Sequence, residues 1–506
     1  MHTDLSQTER TRRQKLLSLE ELGIEPYPSH AFPTNTTTKT IHARHKSGSV
    51  QEDIALAGRI MARRVMGKTC FITLQDAHGK IQLYIQRDTL CTGDEKTFYN
   101  TFIKKLLDIG DIIGVQGTVF STHTGETSIK VASLKLLSKS LKPLPDVKEI
   151  EQEGQKKRFN DFTNPEHRYR QRYVDLIVNP HVRDIFRKRA KIIQLIRQDF
   201  DKQGYLEVET PILQPLYGGA AANPFTTYHK KLDQELYLRI SNELYLKRLI
   251  VGGYDGVYEF AKDFRNEGMS RFHNPEFTQV EVYVPYQDYQ WMMQKVEALV
   301  HHIVQTIHNS STLQVGEHTI DFAPPWKRFT MYEAITHFTG LEVASMDDQT
   351  LKKTLQERNI PIPKGAGRGK LLDQLFGATC EPKLIQPTFI TDYPVETSPL
   401  AKKHRNNPAL VERFEVICNG KEICNAFSEL NDPIDQRKRF EAQVALAKQG
   451  DDEAMALDED FLSALSYGMP PTVGLGLGID RLTMLITNQP SIQEVIFFPQ
   501  MRSEKP

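Results

Sequence analysis

The chain has 506 residues, more than one hydrophobic core usually supports, so we expect at least two domains. Its 64 basic and 64 acidic residues cancel, so any contact with nucleic acid must come from a local patch, and no apolar run of about 18 residues indicates a membrane span. The polar N-terminus lacks a secretion-signal core, and the 5 cysteines without CxxC spacing are typical of a reducing compartment and argue against structural zinc. We therefore predict a cytoplasmic protein with no membrane partner.

Residues 1–53 are predicted to form an N-terminal helical extension. Leu16, Leu17 and Leu19 lie opposite Arg and Lys within the first 24 residues, as on a short amphipathic helix. We expect this helix to pack on the next domain; a basic arm that touches RNA is the alternative.

Residues 54–145 are predicted to form a small β-barrel. A helix at Thr97–Asp108 separates the third strand from the fourth, which is the order of an OB-fold. The strands are predicted at Ile54–Met61, Cys70–Asp76, Ile81–Arg87, Asp111–Phe120 and Thr127–Ser138. From Ala55 to Pro145 there are 13 Lys or Arg against 7 Asp or Glu, which indicates a polyanionic partner.

Charge and an aromatic ring occur together on this barrel. Arg63 and Arg64 lie on one strand and Phe71 on the next, so they could supply phosphate contacts and a stacking platform for bases. A strand Phe is commonly part of the core, and the two interpretations of Phe71 have about equal support.

A charged linker is predicted at 146–180, followed by one large unit at 181–506. Val182–Gln203 carries a helical apolar stripe, and strands and hairpins then alternate with helices to the end of the chain. A mostly helical insertion interrupts this pattern at about 331–385. The fold class is therefore α+β.

The strongest local signal is a hairpin around residues 264–281. Alternating apolar and polar residues precede Arg265, and a second alternating run follows a polar turn. Period two places Phe277, Gln279, Glu281 and Tyr283 on one face. Rings and charges on one face suit a ligand that has phosphates, a planar base and an ammonium group.

A glycine run, Gly474-Leu-Gly-Leu-Gly-Ile-Asp-Arg481, joins a strand to an apolar helix. Glycine at every second position leaves one strand face without side chains, so a flat ligand could approach the backbone, and Arg481 could reach phosphate. Taken alone, the run fits a tightly packed structural strand better. It also lacks the last glycine and the context of a dinucleotide-binding fingerprint.

Two carboxylates flank the hairpin signal Asn419-Gly420. A two-residue turn would place Glu415 and Glu422 on one face, near enough to share a hard cation such as Mg²⁺; both could instead point into water. Strict alternation puts Asn425 on the opposite face from Glu422. Either a bulge intervenes or one of the two groups lies outside the site.

Glu243 lies at a predicted helix start, in Ser241-Asn-Glu-Leu-Tyr-Leu-Lys247. An acidic residue there is favoured by the helix dipole without any functional role, and taken alone this is the better interpretation.

Taken together, these residues resemble the class II aminoacyl-tRNA synthetases, and most closely the lysine-specific enzymes of bacterial type. Phe264–Gly268 with His273–Phe277 resembles motif 2 of that class, Gly474–Arg481 resembles motif 3, and the helix 182–203 with Glu207–Pro211 resembles motif 1, which forms dimers. Segments that resemble the lysine enzymes begin at Gly218, Glu243 and Phe427. The likeness runs from about Leu16 to Arg502.

The resemblance implies an OB-fold anticodon-binding domain and a catalytic domain built on a mostly antiparallel sheet flanked by helices. It implies a homodimer that uses ATP and Mg²⁺ to ligate L-lysine to tRNA(Lys) through a lysyl-adenylate, releasing AMP and pyrophosphate. Arg265 would hold the α-phosphate and the lysine carboxylate, and Arg481 the γ-phosphate; these are the implied catalytic residues. The carboxylates of Glu415 and Glu422 would hold the metal.

The resemblance also implies three further sets of binding residues. ATP would contact Arg265, Arg481, Glu267, His273, Asn274, Phe277, Glu415 and Glu422. Lysine would contact Gly219, Glu243, Arg265, Glu281, Tyr283, Asn425, Phe427 and Glu429. Anticodon bases would contact Arg63, Arg64, Phe71 and Gln82.

The chain departs from its relatives at Asn223 and at Phe272, where an Arg is frequent, which affects the expected phosphate contacts of those loops. An aspartate- or asparagine-specific enzyme of the same architecture is the nearest alternative, but its pocket should present Lys or Arg instead of carboxylates. A separate nucleic-acid-binding protein would leave the regions 264–281 and 474–481 without a function. A nicotinamide oxidoreductase could use the glycine run, but the context of the dinucleotide-binding fingerprint is missing.

Overall fold

The structure, a computed structural model, describes residues 5–46, 53–92, 96–145, 147–152, 155–160, 162–363, 365–448 and 455–503. It divides into two compact units, Met1–Asn164 and Pro165–Pro506. This division falls inside the predicted linker, in which Val147–Gln152 and Gln155–Asn160 pair as antiparallel strands and residues from 165 onward belong to the second unit. The predicted domain boundaries stay predictions.

The first unit contains a closed five-stranded barrel. Its strands are β1 Ile54–Met66, β2 Thr69–Gln75, β3 Lys80–Gln86, β4 Ile112–Ser121 and β5 Thr127–Ser138, and the linker hairpin is β6 Val147–Gln152 with β7 Gln155–Asn160. Its helices are α1 Gln7–Glu21, α2 Thr38–Lys46, α3 Arg87–Leu90 and a π-type helix Phe98–Leu106. The barrel order β1-β2-β3-β5-β4, with a helix before the fourth strand, confirms the predicted OB-fold.

Strand β1 is longer than predicted because it pairs with two neighbours in turn. Residues 54–59 pair with β4, and residues 59–66 pair with β2, with a register shift near Met61. The irregularity bends the strand, which lets one segment close the barrel from both sides.

Helix α1 packs on the barrel unit, as expected, but only part of the predicted leucine face takes part. Leu19 is buried, whereas Leu17 is 64% exposed. Arg12 is buried with it and donates hydrogen bonds to the carbonyl oxygens of Ser140, Lys142 and Ile109. The guanidinium thus replaces part of the expected apolar contact.

The second unit is built on one mixed sheet with the order β16-β17-β20-β21-β22-β13-β12-β8. All neighbouring strands are antiparallel except the pairs at the two edges, which confirms the predicted mostly antiparallel sheet. The strands of the unit are β8 Leu206–Glu207, β9 Leu213–Gln214, β10 Thr226–His229, β11 Gln234–Leu238, β12 Val257–Phe264, β13 Glu276–Pro285, β14 Thr312–Val315, β15 His318–Asp321, β16 Lys327–Thr330, β17 Thr388–Thr391, β18 Lys403–His404, β19 Asn407–Val411, β20 Arg413–Cys418, β21 Lys421–Ser428 and β22 Thr472–Gly478.

Helices cover one face of this sheet and extend beyond it. They are α4 Pro165–Arg170, α5 Arg172–Val178, α6 Pro180–Lys202, α7 Glu243–Val251, α8 Tyr289–His308, α9 Met331–Thr339, α10 Asp348–Glu357, α11 Arg368–Thr379, α12 Pro433–Lys448, α13 Glu459–Ser466, α14 Ile479–Ile486 and α15 Ile492–Val495, with short 3-10 turns at Val343–Ser345, Glu381–Lys383 and Val395–Thr397. The main core lies between the sheet and α6, α8 and α14. The other face of the central strands is left to polar side chains and a cavity.

The predicted insertion is mostly helical, as expected. Helices α9, α10 and α11 bury leucines and alanines in a core cluster of their own that also touches the edge of the sheet. Helix α11 begins at Arg368, directly after Gly367.

Candidate active site and nucleic-acid interface

A cavity of about 530 Å³ lies on the polar face of the central strands in the second unit. Residues of β13, β21 and β22, the turn after β12 and the start of α7 line it. The structure brings every predicted ATP-, lysine- and metal-binding residue to its wall: Gly219, Glu243, Arg265, Glu267, His273, Asn274, Phe277, Glu281, Tyr283, Glu415, Glu422, Asn425, Phe427, Glu429 and Arg481.

The hairpin β12–β13 supplies one side of the cavity, with the predicted face toward it. Phe277 and Glu281 line the wall, and the Arg265 guanidinium lies 5.1 Å from the centre of the Phe277 ring. The Arg265 Nε is buried and has no hydrogen-bond partner among the described residues. A buried donor without a partner is costly, so this nitrogen is suited to an anionic ligand.

Arg481 ties the turn of the hairpin to β21. Its guanidinium donates to the Glu422 carboxylate at 3.0 Å and lies 3.2 Å from Nε2 of His273. Burial, followed by the nearby Arg481 charge, lowers the pKa of His273, so the imidazole is neutral at neutral pH. Arg481 and His273 thus form a hydrogen-bonded pair at the wall of the cavity, with the positive charge on Arg481.

Asn274 has an internal role that its sequence context did not predict. Its amide nitrogen donates to the Glu276 carbonyl at 2.6 Å, and its amide oxygen accepts from the Gln500 backbone N–H at 3.2 Å. Both ends of the side chain are therefore engaged in holding the turn, and its contact with ATP stays a prediction.

A β-bulge decides the question that strict alternation left open. Ile417 pairs with Glu422, but Val416 pairs with Cys424, so Ile423 is the extra residue. The bulge reverses the alternation, and Glu422 joins Asn425 on the face that carries Glu415. All of the predicted groups of this hairpin therefore line the cavity.

Arg413 crosses this face and was missed in the sequence. Its guanidinium donates to Glu415 at 2.5 Å and to the Asn425 side-chain oxygen at 3.0 Å. Burial raises the pKa of Glu415 to about 7, with Arg413 opposing that rise and Glu422 and Asp373 adding to it. The repulsion among these acids is what a cation would relieve, so the oxygen donors fit Mg²⁺. No cluster of three metal-ligating side chains occurs in the part of the chain that the structure describes.

An acidic pocket forms the deep end of the cavity. Glu243, Glu281 and Glu429 are all buried there, and the Tyr283 hydroxyl donates to Glu281 at 3.0 Å. Burial, and then the neighbouring acids, raise the pKa of Glu281 well above its usual range. Three buried carboxylates in one pocket are unfavourable without cations, which points to a cationic ligand.

The glycine run forms the floor of the cavity. A side chain at position 474 would collide with the Glu429 carboxylate and the Tyr283 ring. At Gly476 the nearest atom to an added Cβ is 3.8 Å away, so a side chain there would enter the cavity instead of the protein. These two glycines therefore serve packing and ligand access respectively.

Gly219 and Glu243 approach each other at the entrance to the acidic pocket. Gly219 has φ of +88°, and an added Cβ would lie 2.9 Å from the Ser241 hydroxyl. The chain thus bends closely over the start of α7, where only glycine is accommodated.

The barrel carries a separate candidate interface in the first unit. Arg64, Phe71 and Tyr84 are opposed across β1, β2 and β3 and face outward, with the two rings 5.4 Å apart. Phe71 is therefore not a core residue. Gln82 lies on the same outer face, but its amide donates to Ser128 at 3.0 Å.

Arg63 differs from its neighbour. It pairs with the buried Ile72, and its guanidinium donates to the Ile103 carbonyl at 2.6 Å, at the helix that plugs the barrel. The structure thus places Arg64 and Phe71 together on the surface and gives Arg63 an internal contact.

Comparisons with known proteins agree with this geometry. Residues 164–502 match the family model of class II tRNA synthetases (D, K and N), and residues 54–137 match that of the OB-fold nucleic acid binding domain. The first match covers more than half of the chain. The chain belongs to the class II tRNA synthetases.

Similar synthetases are lysine–tRNA ligases by name. One from Porphyromonas gingivalis is 54% identical over 504 residues, which cover 99% of this chain and 86% of the relative. Those of Christiangramia forsetii and Azobacteroides pseudotrichonymphae are each 54% identical over 501 residues, covering 99% of this chain and 87% and 99% of the relatives. The predicted resemblance to the lysine-specific branch is confirmed.

The synthetase turn that departs from its relatives has a packing reason at one position. Phe272 packs against the apolar cluster of Ile185 and Ile492, and the Lys421 ammonium lies 5.2 Å from its ring centre. Arg271, one residue earlier, is exposed. The aromatic residue therefore anchors the turn where the turn meets the wall of the cavity.

Several synthetase residues of the site were not found from the sequence. Arg413 lies two positions before Glu415 on the same strand face, so period two could have revealed it. Lys370 and Asp373 reach the cavity from the helical insertion, and no local pattern indicates this. Within the described residues, no helix is long and apolar enough to span a membrane.

Proposed function

We propose that this chain is an ATP-dependent lysine–tRNA ligase that forms lysyl-adenylate and then transfers the lysyl group to the 3′ end of tRNA(Lys), releasing AMP and pyrophosphate. The observation that carries the proposal is one cavity with unpaired arginine nitrogen at one end and three buried carboxylates at the other. The arginine end has the charge that complements a triphosphate, and the acidic end has the charge that complements a substrate ammonium. The two ends would therefore orient the substrates.

Arg265 and Arg481 are assigned to the phosphates and are the proposed catalytic residues. Arg265 stacks on Phe277 with its Nε free, so it would bridge the α-phosphate and the lysine carboxylate while Phe277 stacks on adenine. Arg481 would hold the γ-phosphate, with Glu267, His273 and Asn274 completing the nucleotide site.

The first step needs no protein base because the attacking lysine carboxylate is already an anion. In-line positioning and neutralisation of charge on the pentavalent phosphorus account for catalysis. Glu415 and Glu422 would hold Mg²⁺, which supplies positive charge to the phosphate oxygens. Both carboxylates contact guanidinium groups that the metal would partly displace.

The lysine ammonium groups are assigned to the acidic pocket. Glu243, Glu281 and Glu429 would pair with them, because the buried negative charge requires compensation. The remaining proposed lysine contacts are Gly219, Tyr283, Asn425, Phe427 and Arg265.

The outer face of the barrel is assigned to the anticodon. Phe71 would stack on a base and Arg64 would pair with phosphate. Gln82 and Arg63 are proposed contacts too, and each would have to exchange the internal hydrogen bond that it makes here.

We propose that the chain forms a homodimer and that the segment after α6 is part of the interface. Leu206, in the short edge strand β8, is 44% exposed, and Ile212 and Leu213, shortly after it in the chain, are 44% and 48% exposed. Apolar residues at a short sheet edge suit burial against a second copy. We place the enzyme in the cytoplasm, where tRNA is charged.

The test is lysine-dependent exchange of labelled pyrophosphate into ATP, followed by charging of tRNA(Lys). We expect exchange with lysine and none with aspartate or asparagine, since neither of those side chains supplies an ammonium to compensate the three buried acids. Exchange with aspartate or asparagine alone would assign the chain to the other specificities of the family. No exchange with any amino acid would contradict the proposal.

A further inference from the structure

A buried cation, the ammonium of Lys247, lies beside the acidic pocket, and the proposed function assigns it no role. Lys247 is on α7, one turn after Glu243, and its side chain is fully buried. Its ammonium contacts Glu243 at 2.5 Å and also contacts Oε2 of Glu429. The rings of Phe427 and Phe461 lie 5.5 and 5.9 Å from the ammonium and exclude water from that side.

The two carboxylates that Lys247 joins come from distant parts of the chain. Glu243 begins α7, whereas Glu429 follows β21. A single buried ammonium between them therefore sets the spacing of two groups that are 186 positions apart in the sequence. The other oxygen of Glu429, Oε1, is buried without a hydrogen-bond partner among the described residues. A buried carboxylate oxygen without a partner suits a cationic ligand, and the absence of a side chain at Gly474 lets this oxygen lie close against that strand.

Glu281, the third acid, is held differently. Neutral donors contact it: the Tyr283 and Ser241 hydroxyls and the Gln279 amide. No ion pair to Glu281 occurs among the residues described. When lysine is bound and Glu281 is ionised, three carboxylates and one ammonium leave two negative charges, and free lysine carries two ammonium groups besides the carboxylate assigned to Arg265.

We propose that Lys247 is a positioning residue for lysine: its ammonium keeps Glu243 and Glu429 ionised and correctly spaced, and adjusts the charge of the pocket to match the two ammonium groups of the substrate. This inference rests on the proposed lysine-binding role of the pocket. It assigns to a residue outside the predicted site a share in substrate selection.

The electrostatics of the neighbours agree with this role. Burial raises the pKa of Glu243 and raises that of Glu429 well above its usual range, and among the neighbouring groups Lys247 opposes this rise most strongly. Besides these acids, the charged or titratable groups that face them are Glu281, Tyr283, Arg413 and, through Glu281, Asp263. Arg248, the next residue of α7, pairs with Asp458 and Asp460 instead.

Removal of the ammonium should convert lysine binding into a proton-releasing step. In Lys247→Met the acids would take up a proton in the free enzyme, and lysine would have to displace it. We expect the KM for lysine in pyrophosphate exchange to rise at least about 10-fold at pH 7 and to recover partly toward pH 9. The KM for ATP should stay within about 2-fold, because the nucleotide lies at the other end of the cavity.

The decisive measurement is the number of protons released when lysine binds, obtained by titration calorimetry in two buffers of different ionisation enthalpy. Lys247→Met should release about one proton more than the wild type. The matched control is Lys295→Met. Lys295 is a helix lysine that also pairs with an acid, Asp199, but lies outside the cavity. It should leave both KM values and the proton number unchanged.

A second variant keeps the proposal testable if Lys247→Met folds poorly. The double variant Lys247→Met with Glu243→Gln removes one charge of each sign, which buried sites tolerate better than one unpaired charge. It should release the wild-type number of protons even if its affinity for lysine is low. An extra proton in the double variant would contradict the charge matching.

Two failures are distinguishable. A wild type that exchanges pyrophosphate with lysine, beside a Lys247→Met variant with unchanged proton number and a loss independent of pH, overturns this inference alone. Equal losses for lysine and ATP would also overturn it, since they indicate a merely structural role. A wild type without lysine-dependent exchange overturns the proposed function together with the inference.

Discussion

The cavity of the second unit and the outer face of the barrel both present charge and aromatic rings, but in opposite solvent environments. In the cavity, Glu429 and Glu281 are 2% and 5% exposed and interact with fixed internal partners. On the barrel, Arg64 is exposed and Phe71 only half-buried, with no ion pair to Arg64 among the described residues. The charged side chains of the two regions therefore differ in how strongly water screens their interactions.

The difference predicts how each region responds to change. A buried charge interacts strongly and loses much when one partner is removed, whereas an exposed charge is screened by water and salt. Cavity variants should thus show large effects that depend on pH and are specific to one substrate. Barrel variants should show smaller effects that are confined to tRNA.

The largest effect is expected from Arg265→Ala. Loss of the guanidinium removes charge stabilisation from the reacting phosphate, so kcat/KM for pyrophosphate exchange should fall about 1,000-fold. Arg328→Ala is the control, because Arg328 is a half-exposed arginine of the same unit outside the cavity. A loss below about 10-fold would show that the cavity does not place Arg265 at the reacting phosphate.

Glu429→Gln should act on one substrate only. It breaks a buried pair with Lys247 and removes a carboxylate from the lysine pocket, so the KM for lysine should rise about 100-fold with little change for ATP. The steady-state constants for each substrate, measured beside exposed Glu276→Gln, give the comparison. Equal losses for both substrates would contradict the assignment of the acidic end to lysine.

On the barrel, Phe71→Ala should reduce kcat/KM for charging of tRNA(Lys) about 10-fold through lost base stacking. Exchange of pyrophosphate with lysine and ATP should not change, since it needs no tRNA. Tyr27→Ala removes another exposed ring of the same unit and serves as the control. A matching loss in pyrophosphate exchange would mean that Phe71 supports folding instead.

The smallest effect concerns the stability cost of a buried charge. Burial raises the pKa of Asp263 from 3.8 to about 6, against the influence of Arg239. Between these values the folded chain binds a proton that the unfolded chain has lost, so stability falls as pH rises from 3.8 to about 6 and the cost is complete above that. The gain in unfolding free energy from Asp263→Asn should therefore be about 1 kcal/mol larger at pH 8 than at pH 5.

Denaturant unfolding of wild type and variant at the two pH values checks this prediction. Exposed Asp184→Asn should show little difference between them. A gain from Asp263→Asn that is the same at both pH values would indicate that Asp263 is ionised throughout the range.

The sequence predicted the local elements well where periodicity is strong. The hairpin β12–β13 and its cavity-facing residues follow directly from alternation, because a pleated strand forces every second side chain to one face. The same rule failed between Glu422 and Asn425, where the bulge at Ile423 reversed the faces. Alternation cannot reveal a bulge, since the extra residue depends on the partner strand.

The residue types and their order thus determined the class of protein and many of the residues that line the cavity, but not Arg413, Lys370 or Asp373. Only the tertiary structure decided the partners of the charged side chains. Arg12 donates to the Ser140 carbonyl and Arg63 to the Ile103 carbonyl of the barrel helix. Arg413 pairs with Glu415, and Lys247 lies between Glu243 and Glu429. The hairpin signal depends on neighbours along the chain. Pairing of buried charges depends on distance and on the exclusion of water, which arise only when distant segments pack.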